Sequence, residues 1–387
     1  MKKIPRTVFL LGLVSLFTDF SSEMIYPLLP LFLVSVLGTG ALAIGVIEGV
    51  AEATASFLKV YSGIWTDRAK RRKPFIVAGY GLAGLARPLI GLAGSWVTVL
   101  ALRFADRVGK GIRTSPRDAM IADVTPPQQR GAAYGLHRAM DHAGAVIGPL
   151  VGAGLLMFWD MPLRQIFLLA AVPALVALFI AWAGVREPPL VETAEAAPTN
   201  WMRGWQQLGR DYMIFLVAVL LFTLGNSTDA FLILRLTDQG VPAGWMAVLW
   251  SLHHVVKMLA SYLGGRFSDS LGHRRQLISG WGLYALIYLA FSLVESTLTL
   301  VVMFLVYGIY YGFVEPAERA LVAELAPEHL RGTAFGYFHL VTGLGALPAS
   351  LLFGLIWQVF GAPAAFLAGA GLALLASLLL FNNHRGH

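Results

Sequence analysis

The sequence contains no cysteine among its 387 residues. This absence excludes disulfide bridges, thiolate metal sites and a cysteine nucleophile. Charge is also scarce, because Asp, Glu, Lys and Arg make up 13% of the chain, against about 25% in soluble globular domains. The composition is therefore not that of an ordinary soluble enzyme.

Apolar residues take the place of the missing charges. The hydrophobic fraction is 57%, against roughly 45–50% in soluble domains. The core of a soluble protein of this length could not bury so many apolar residues. We therefore infer that the bilayer is the solvent and that the chain is an all-α integral membrane protein. The net charge of +7 is concentrated in short loops such as 1–6, 67–73 and 266–275. The positive-inside rule explains these loops better than nucleic-acid binding does, and it places them in the cytoplasm.

Twelve stretches are long and apolar enough to span a bilayer, which takes ~20 residues. An even number places both termini on the same side, and the basic loops make that side cytoplasmic. The first stretch runs well past signal-peptide length, so we expect it to be retained. A polar linker at 186–209 separates an N-terminal bundle at 1–185 from a C-terminal bundle at 210–387. The predicted spans are 7–36, 41–64, 74–94, 97–122, 130–158, 163–184, 210–236, 243–264, 275–294, 298–324, 331–359 and 361–382.

One loop pattern, a glycine and an aspartate followed by clustered basic residues, occurs twice, about two hundred residues apart. The sequence at 117–135 recurs at 318–336 with nearly the same offset. Such repeats indicate a duplicated six-helix unit, an organisation in which transporters place the substrate site at the repeat interface. The loop copies comprise Gly63, Asp67, Arg68, Arg71 and Arg72 in the first half, and Gly265, Asp269 and Arg274 in the second.

With these motifs the chain resembles the major facilitator superfamily over essentially its whole length. The family's loop motif G-x-x-x-D-R-x-G-R-R/K fits the first copy except at Lys70, and the second copy has Ser270 where an arginine is expected. The motif R-x-x-Q-G of the fourth helix appears as Arg107-Val-Gly-Lys110-Gly. The motif G-x-x-x-G-P-x-x-G of the fifth helix is intact, with Gly144, Gly148 and Pro149 in its first half.

The resemblance implies the major facilitator fold, with twelve transmembrane helices in two pseudo-symmetric six-helix bundles. In the family, the motif of the fifth helix is typical of antiporters, especially drug:proton exporters. The expected location is the cell membrane, in bacteria the inner membrane. The expected partners are the lipid bilayer, a small-molecule substrate and protons, and the protein is expected to be a monomer. Neither a cofactor nor a metal site is predicted.

The repeated loop has a physical interpretation as a latch. Gly63 permits close approach of two helix ends, and Asp67 can cap a neighbouring helix N-terminus and pair with an arginine. The alternative is that the basic residues only retain the loop in the cytoplasm. Because Ser270 replaces an arginine, we expect the first copy to be the stronger latch and to close the cytoplasmic side in the outward-open state. For the Gly144–Pro149 stretch, simple close packing and a functional bend are both open.

An ionisable residue inside a membrane span costs free energy, so its presence indicates that it faces a cavity or a charged partner. Asp19 and Glu23 share one face of the first span, as i,i+4 spacing requires, and neighbouring carboxylates suit proton binding. Arg107 is the expected switchable partner. The alternative is structural ion pairing, for example Glu52 with Arg107 or Asp141 with Arg103. The candidate proton-coupling residues are Asp19, Glu23, Glu52 and Asp141.

The remaining polar side chains of the spans are candidates for substrate contacts or charge partners. Aromatic residues and histidines at this spacing are more often packing groups, and adjacent histidines point to different helix faces, so no metal site is assigned. The candidates are Arg103, Arg107, Arg138, Asn226, Asp229, His254, Lys257 and Tyr311.

The predicted function is export of a small molecule in exchange for protons, by alternating access. One alternative is proton-coupled import of an anionic or zwitterionic metabolite, with arginines binding a carboxylate or phosphate. Another is export of a metal or metal chelate through the acidic cluster. A membrane enzyme is disfavoured because the sequence has no nucleophile elbow, HExxH motif or phosphate-binding glycine loop.

Overall fold

The computed structural model describes residues 4–38, 41–187 and 205–382, without the side chains of 41–46, 48–53, 243, 244 and 247. Helices make up nearly all of this backbone, and the described residues include no strand. The helices that matter below are α1 (Arg6–Ile25), α2 (Ala41–Ala69), α3 (Lys73–Leu89), α4 (Trp96–Val124), α5 (Arg130–Phe158), α6 (Leu163–Leu169), α7 (Ala171–Phe179), α8 (Gly209–Gly225), α9 (Ala230–Asp238), α10 (Ala243–Leu271), α11 (His273–Leu293), α12 (Thr297–Leu325), α13 (Arg331–Phe360) and α14 (Ala362–Asn382).

Nine helical stretches of the described chain are long and apolar enough to cross a membrane. The other three predicted spans correspond to α2, α4 and α10, each of 29 residues. At ~1.5 Å per residue, each of these helices is longer than the ~30 Å hydrocarbon layer. α4 is the polar one of the three because its sequence includes seven arginine, lysine and aspartate residues between positions 103 and 118.

The first predicted span of each half is interrupted in the structure. α1 ends at Ile25, and the chain continues through short helical turns that begin at Tyr26–Pro27. The predicted span 210–236 is divided into α8 and α9, with Asn226 in a non-helical conformation between them. Both interruptions occur about 20 residues into the first helix of their half, and both bring polar side chains that form part of the sites described below.

The first compact unit contains Met1–Pro126, Met140–Trp205 and Glu328–His339. Its α4 packs against α2 and α3, and α7 packs against α1 and α3. The first turns of α13 belong to this unit, where they lie against α2.

The second compact unit contains Pro127–Ala139, Gln206–Pro327 and Leu340–His387. Its α12 packs against α10 and α11, and α14 packs against α8 and α11. Within this unit, the first turns of α5 lie against α10.

Equivalent helices of the two units share local sequence features. Ser95 and Ser296 occupy the N-cap positions of α4 and α12, and each side chain accepts a backbone N–H three residues later, from Thr98 and Thr299. Each of these helices also contains an internal proline, Pro116 or Pro316. These correspondences place the duplication seen in the sequence on equivalent structural positions.

Candidate functional site

The first basic loop places a carboxylate at a helix N-terminus. Asp67 Oδ1 accepts the backbone N–H of Gly332 at 3.0 Å, and Oδ2 accepts that of Thr333 at 2.6 Å. The Thr333 hydroxyl donates to Oδ2 at 2.7 Å. These groups belong to the first turn of α13, which has no intrahelical acceptors for its N–H groups and carries the positive end of the helix dipole. The Asp67 side chain has no solvent exposure, so the whole interaction is sheltered from water.

Gly63 permits this approach. A Cβ atom added to Gly63 would overlap the backbone carbonyl oxygen of Gly332. Only glycine lets α2 and the start of α13 come this close, as the loop motif predicts.

Arg72 is the arginine that pairs with Asp67. Its guanidinium donates to Asp67 at 2.6 Å, to the Thr66 hydroxyl at 2.9 Å and to Asp123 at 3.2 Å. Arg331 also donates to Asp123, at 2.9 Å. Burial acts to lower the pKa of Arg72, but the carboxylates of Asp67 and Asp123 outweigh it and raise that pKa above its usual value. Arg72 is therefore held charged in the centre of the network.

The other two arginines of the predicted motif are placed differently. Arg68 and Arg71 are exposed. Arg68 directly follows Asp67 in the sequence. The hydrogen bond to the Asp67 carboxylate comes instead from Arg72, five residues after it.

Glu187, immediately after the last helix of the first half, contacts the same loop. Its carboxylate accepts the backbone N–H of Arg72 and, at 2.9 Å, that of Lys73, the first residue of α3. Glu187 thus caps the N-terminus of α3 and fixes the backbone from which the Arg72 side chain extends.

The second basic loop repeats the cap with fewer bonds. Asp269 accepts the backbone N–H groups of Gly131 at 2.7 Å and Ala132 at 2.9 Å, at the start of α5. A Cβ atom at Gly265 would overlap the carbonyl oxygen of Gly131. Asp269 is half-buried, and no ion pair joins it to Arg274 in the described part of the second half. The equivalent of the Arg72 contact is missing there.

The glycine motif of α5 packs against α1. A Cβ at Gly144 would overlap the carbonyl oxygen of Leu16, and one at Gly148 would lie 2.9 Å from the Glu23 Cβ. Pro149 lies inside α5, which continues helical through it. The motif therefore brings α5 against the part of α1 that bears the two predicted proton-binding carboxylates.

Those carboxylates are at the edge of the protein interior. Asp19 and Glu23 are half-buried, whereas Asp141 on α5 is buried and accepts a hydrogen bond from the Ser15 hydroxyl. The side chain of Glu52 lies outside the described residues. Four cations act electrostatically on Glu23, namely Lys110, Arg87, Arg107 and Arg103.

Asp106 organises three of these arginines. Arg87 Nε donates to Asp106 Oδ1 at 2.7 Å, and the Tyr26 hydroxyl donates to Oδ2 at 2.5 Å. Arg103 and Arg107 are more distant, at 3.5 Å and 3.9 Å from Oδ2. Asp106, Arg87 and Arg103 are nearly or fully buried. Asp106, on the same helix as Arg103 and Arg107, is thus a partner of all three arginines.

A cavity of about 190 Å³ opens beside this cluster. Tyr26 forms part of its wall, with the Arg103 Cζ 4.0 Å and the Arg107 Cζ 5.4 Å from the centroid of the tyrosine ring. Both contacts are cation–π interactions that fix guanidinium groups beside the space. The lining includes Tyr26, Leu29, Leu33, Ile47, Arg103 and Arg107.

In the second unit, Asp229 gathers the predicted polar residues. It accepts hydroxyl hydrogen bonds from Tyr307 at 3.0 Å and Tyr311 at 3.2 Å, and lies 3.5 Å from Lys257 Nζ. Lys257 Nζ also lies 3.5 Å from the centroid of the Tyr311 ring. The Tyr307 hydroxyl reaches the Asn226 side-chain oxygen at 3.5 Å.

Two further candidates have separate settings in this unit. Arg138 forms a two-pronged ion pair with Glu315, at 2.8 Å and 2.6 Å. The His254 ring bonds the Trp250 carbonyl oxygen one turn earlier at 3.0 Å. Among the described side chains, no group of three or more His, Asp or Glu is placed to hold a metal ion.

Several members of these clusters were not predicted from the sequence. Arg87 and Tyr26 stand alone in their spans, so no spacing drew attention to them. A usable signal existed for Asp123 and Arg331, because both lie in the duplicated segments 117–135 and 318–336. Charged residues that recur in both duplicated segments could have been predicted to belong to the latch.

Comparison with known proteins agrees with this architecture. The model of the Major Facilitator Superfamily matches residues 11–252 and 237–386. An uncharacterized MFS-type transporter of Methanocaldococcus jannaschii is 33% identical over 98% of this chain and 95% of its own length. Multidrug resistance protein MdtH of Sodalis glossinidius is 28% identical over 83% of this chain and 78% of its own length. The crystal structure of the human organic anion transporter MFSD10 superposes with a TM-score of 0.80 at 18% identity, covering 98% of this chain and all of that one.

These matches confirm the predicted family and the predicted all-α membrane fold. Family and fold are those of multi-pass membrane transporters, which are generally not enzymes. The chain therefore belongs to the major facilitator superfamily of membrane transporters.

Proposed function

We propose that this protein is a proton-coupled secondary active transporter that exports a small molecule in exchange for protons. Bundles at 1–185 and 210–387 would alternate access to a central site. The observation that carries the proposal is the position of Glu23, a half-buried carboxylate on α1 at the point where Gly148 of the α5 glycine motif packs against that helix. The name of the relative MdtH, a multidrug resistance protein, supports the export direction.

Protonation of Glu23 changes the charge balance of its surroundings. The ionised carboxylate attracts Arg107, Arg103, Arg87 and Lys110, and a proton removes that attraction. A proton can shift the equilibrium between inward-open and outward-open states only if it binds the two states with different affinity. Movement of α1 relative to α4 would provide that difference, because it changes the distance from Glu23 to the arginines. Asp19, Asp141 and Glu52 remain candidates for further proton sites.

The two basic loops act as latches in this scheme. The first latch consists of Gly63, Asp67 and Arg72 together with the start of α13. The second latch consists of Gly265 and Asp269 together with the start of α5. Each holds its helix N-terminus by charge-assisted hydrogen bonds, which can break and reform as a unit.

A second candidate, proton-coupled import of an anionic metabolite, is favoured by the arginine-lined cavity. An anion bound at Arg103 and Arg107 would add negative charge near Glu23 and so favour its protonation. Anion and proton would then bind together, which is the linkage of a cotransporter. In an antiporter, by contrast, the cargo and the proton must compete.

The sign of this linkage is measurable on purified protein. In weakly buffered detergent solution, a pH dye reports protons released or taken up when ethidium, a cationic probe, or benzoate, an anionic probe, is added. Export by antiport predicts proton release that disappears in Glu23→Gln, and import predicts proton uptake that disappears in the same variant. Binding without proton exchange, or exchange unchanged in both Glu23→Gln and Asp19→Asn, would contradict coupling at α1.

A further inference from the structure

Glu318 on α12 is the first residue of the second duplicated segment, at the position that Arg117 occupies in the first. The next residue of each segment is also charged, Asp118 in the first half and Arg319 in the second. In the first unit these neighbours pair, because Arg117 Nη2 lies 2.9 Å from Asp118 Oδ1. The second unit carries the same two positions with their charges exchanged.

The Glu318 carboxylate does not form the equivalent pair. Arg319 Nη1 donates instead to the backbone carbonyl oxygen of Glu315 at 2.9 Å. Arg138 of α5 donates to both carboxylate oxygens of Glu315, at 2.8 Å and 2.6 Å. Among the described residues no hydrogen bond or ion pair reaches the Glu318 carboxylate, although the exposed fraction of this residue is 9%.

Two contacts between α5 and α12 lie on either side of Glu318. Arg130 Nη1 donates to the Ala323 carbonyl oxygen at 2.9 Å, and Arg138 pairs with Glu315. The same number of residues separates the two contacts on each helix, in opposite order, so α5 and α12 run antiparallel here. Glu318 therefore lies on the stretch of α12 that these contacts cover.

The charges around Glu318 do not replace a bonded partner. Among the described side chains, those that act electrostatically on it are Arg138 from α5 and Tyr310, Glu315 and Arg319 from α12. The other helices packed against α12, namely α10 and α11, contribute none of these groups. Arg138 is neutralised by Glu315, whose carboxylate repels an ionised Glu318, and Arg319 attracts Glu318 without bonding it.

An ionised carboxylate in this position is costly. Burial removes its hydration, and no donor replaces the water. A bound proton removes the charge and with it most of the cost. Separation of α5 from α12 would instead admit water, which solvates the ionised form.

We propose that Glu318 is a proton-binding site of the second unit, protonated while α5 and α12 are in contact and ionised when they separate. The link to cargo movement rests on the proposed function, in which α5 and α12 belong to different bundles. In that scheme their separation opens the cytoplasmic side. The O–H bond of Glu318 then breaks, the proton passes to cytoplasmic water and the carboxylate remains.

Infrared difference spectroscopy of the full-length protein in detergent tests the protonation state. The wild-type spectrum minus that of Glu318→Gln is expected to contain the carbonyl stretch of a protonated carboxyl group at neutral pH. Glu295→Gln, the same substitution at an exposed glutamate, is the matched control and is expected to remove no such band. A difference spectrum without the band would overturn the proposal.

Cysteine labelling tests the coupling to the interface. Ala133→Cys on α5 is fully buried, so its reaction with maleimide reports opening. Because the closed state holds one proton more, opening should increase with pH, by at most about tenfold per pH unit. The labelling rate is divided at each pH by that of the same cysteine in denatured protein. The increase is expected to be largely lost in Glu318→Gln and restored in Glu318→Asp.

A merely structural role gives a different result. It would lower the melting temperature of Glu318→Gln and leave the pH dependence of labelling as in the wild type, and this outcome would overturn the proposal. If Glu318→Gln does not fold, Glu318→Asp replaces it in the infrared experiment, because its shorter side chain should shift the band. An unshifted band would then overturn the proposal.

Failure of the site and failure of the proposed function are distinguishable. Gradient-driven transport in proteoliposomes without the Glu318 band would contradict the proton site and leave the proposed function standing. The band together with transport that ignores the gradient would contradict the proposed function and leave the proton site standing.

Discussion

Replacement of Asp67 by asparagine should open the first latch far more than Asp269→Asn opens the second. Asp67 accepts two backbone N–H groups, the Thr333 hydroxyl and the Arg72 guanidinium, and its side chain is fully buried. Asp269 accepts two backbone N–H groups and is half-buried. Asparagine keeps one acceptor oxygen, loses the charge and turns an N–H₂ group towards other donors.

The magnitudes follow from the number and kind of bonds lost. A hydrogen bond to a charged group contributes ~1.5–3 kcal/mol, and a charge at a helix N-terminus contributes ~0.3–2 kcal/mol, less where water screens it. Asp67→Asn should therefore weaken its latch by about 3–5 kcal/mol and Asp269→Asn by about 1–2 kcal/mol. A difference of about 2 kcal/mol corresponds to roughly thirtyfold in the open population.

Cysteine labelling measures the open population without background, because the chain has no cysteine of its own. Ala334→Cys in α13 and Ala133→Cys in α5 place reporters at equivalent, fully buried positions beside the two latches. The maleimide labelling rate should rise steeply when Asp67→Asn is combined with Ala334→Cys, and only several-fold when Asp269→Asn is combined with Ala133→Cys. Equal increases at the two reporters would refute the reasoning, provided that the melting temperatures show both proteins to be folded.

Two other changes test single contacts. Gly63→Ala should lower the melting temperature and raise labelling of Ala334→Cys, because its Cβ would overlap a backbone carbonyl oxygen. Gly282→Ala should do neither, because no atom lies within 4 Å of the added Cβ. Equal effects of the two substitutions would remove the case for a required glycine at position 63. Glu187→Ala should destabilise the protein by about 1 kcal/mol, because the α3 N-terminus loses the acceptor for the Lys73 N–H, and an unchanged thermal midpoint would show that this cap contributes nothing.

The fold was accessible from the sequence because its signals are local. Runs of apolar residues, basic loops and a duplicated glycine–aspartate pattern each report on one stretch of chain, and together they predict the family. The capping role of Asp67 was accessible in the same way, since an aspartate four residues after Gly63, a spacing repeated at Gly265 and Asp269, suits a helix N-terminus. The sequence could not say which helix would present that N-terminus.

The pairing of charges was not accessible, because it depends on which helices meet. Arg72 rather than Arg68 bonds Asp67, since the chain turns between α2 and α3 and returns the later side chain to the carboxylate. Tyr26 and Arg87 converge on Asp106 from α4's neighbours, about 80 and 20 residues away along the chain. No motif or periodicity links residues on three different helices.

Transport by purified protein in proteoliposomes tests the central claim most directly. Vesicles with an imposed pH gradient are compared with vesicles at uniform pH, with ethidium and benzoate as probes and with wild type and Glu23→Gln in parallel. Proton-coupled transport predicts that wild-type flux of at least one probe is driven by the gradient and that the response is lost in Glu23→Gln. Probe flux that is the same with and without the gradient would contradict it.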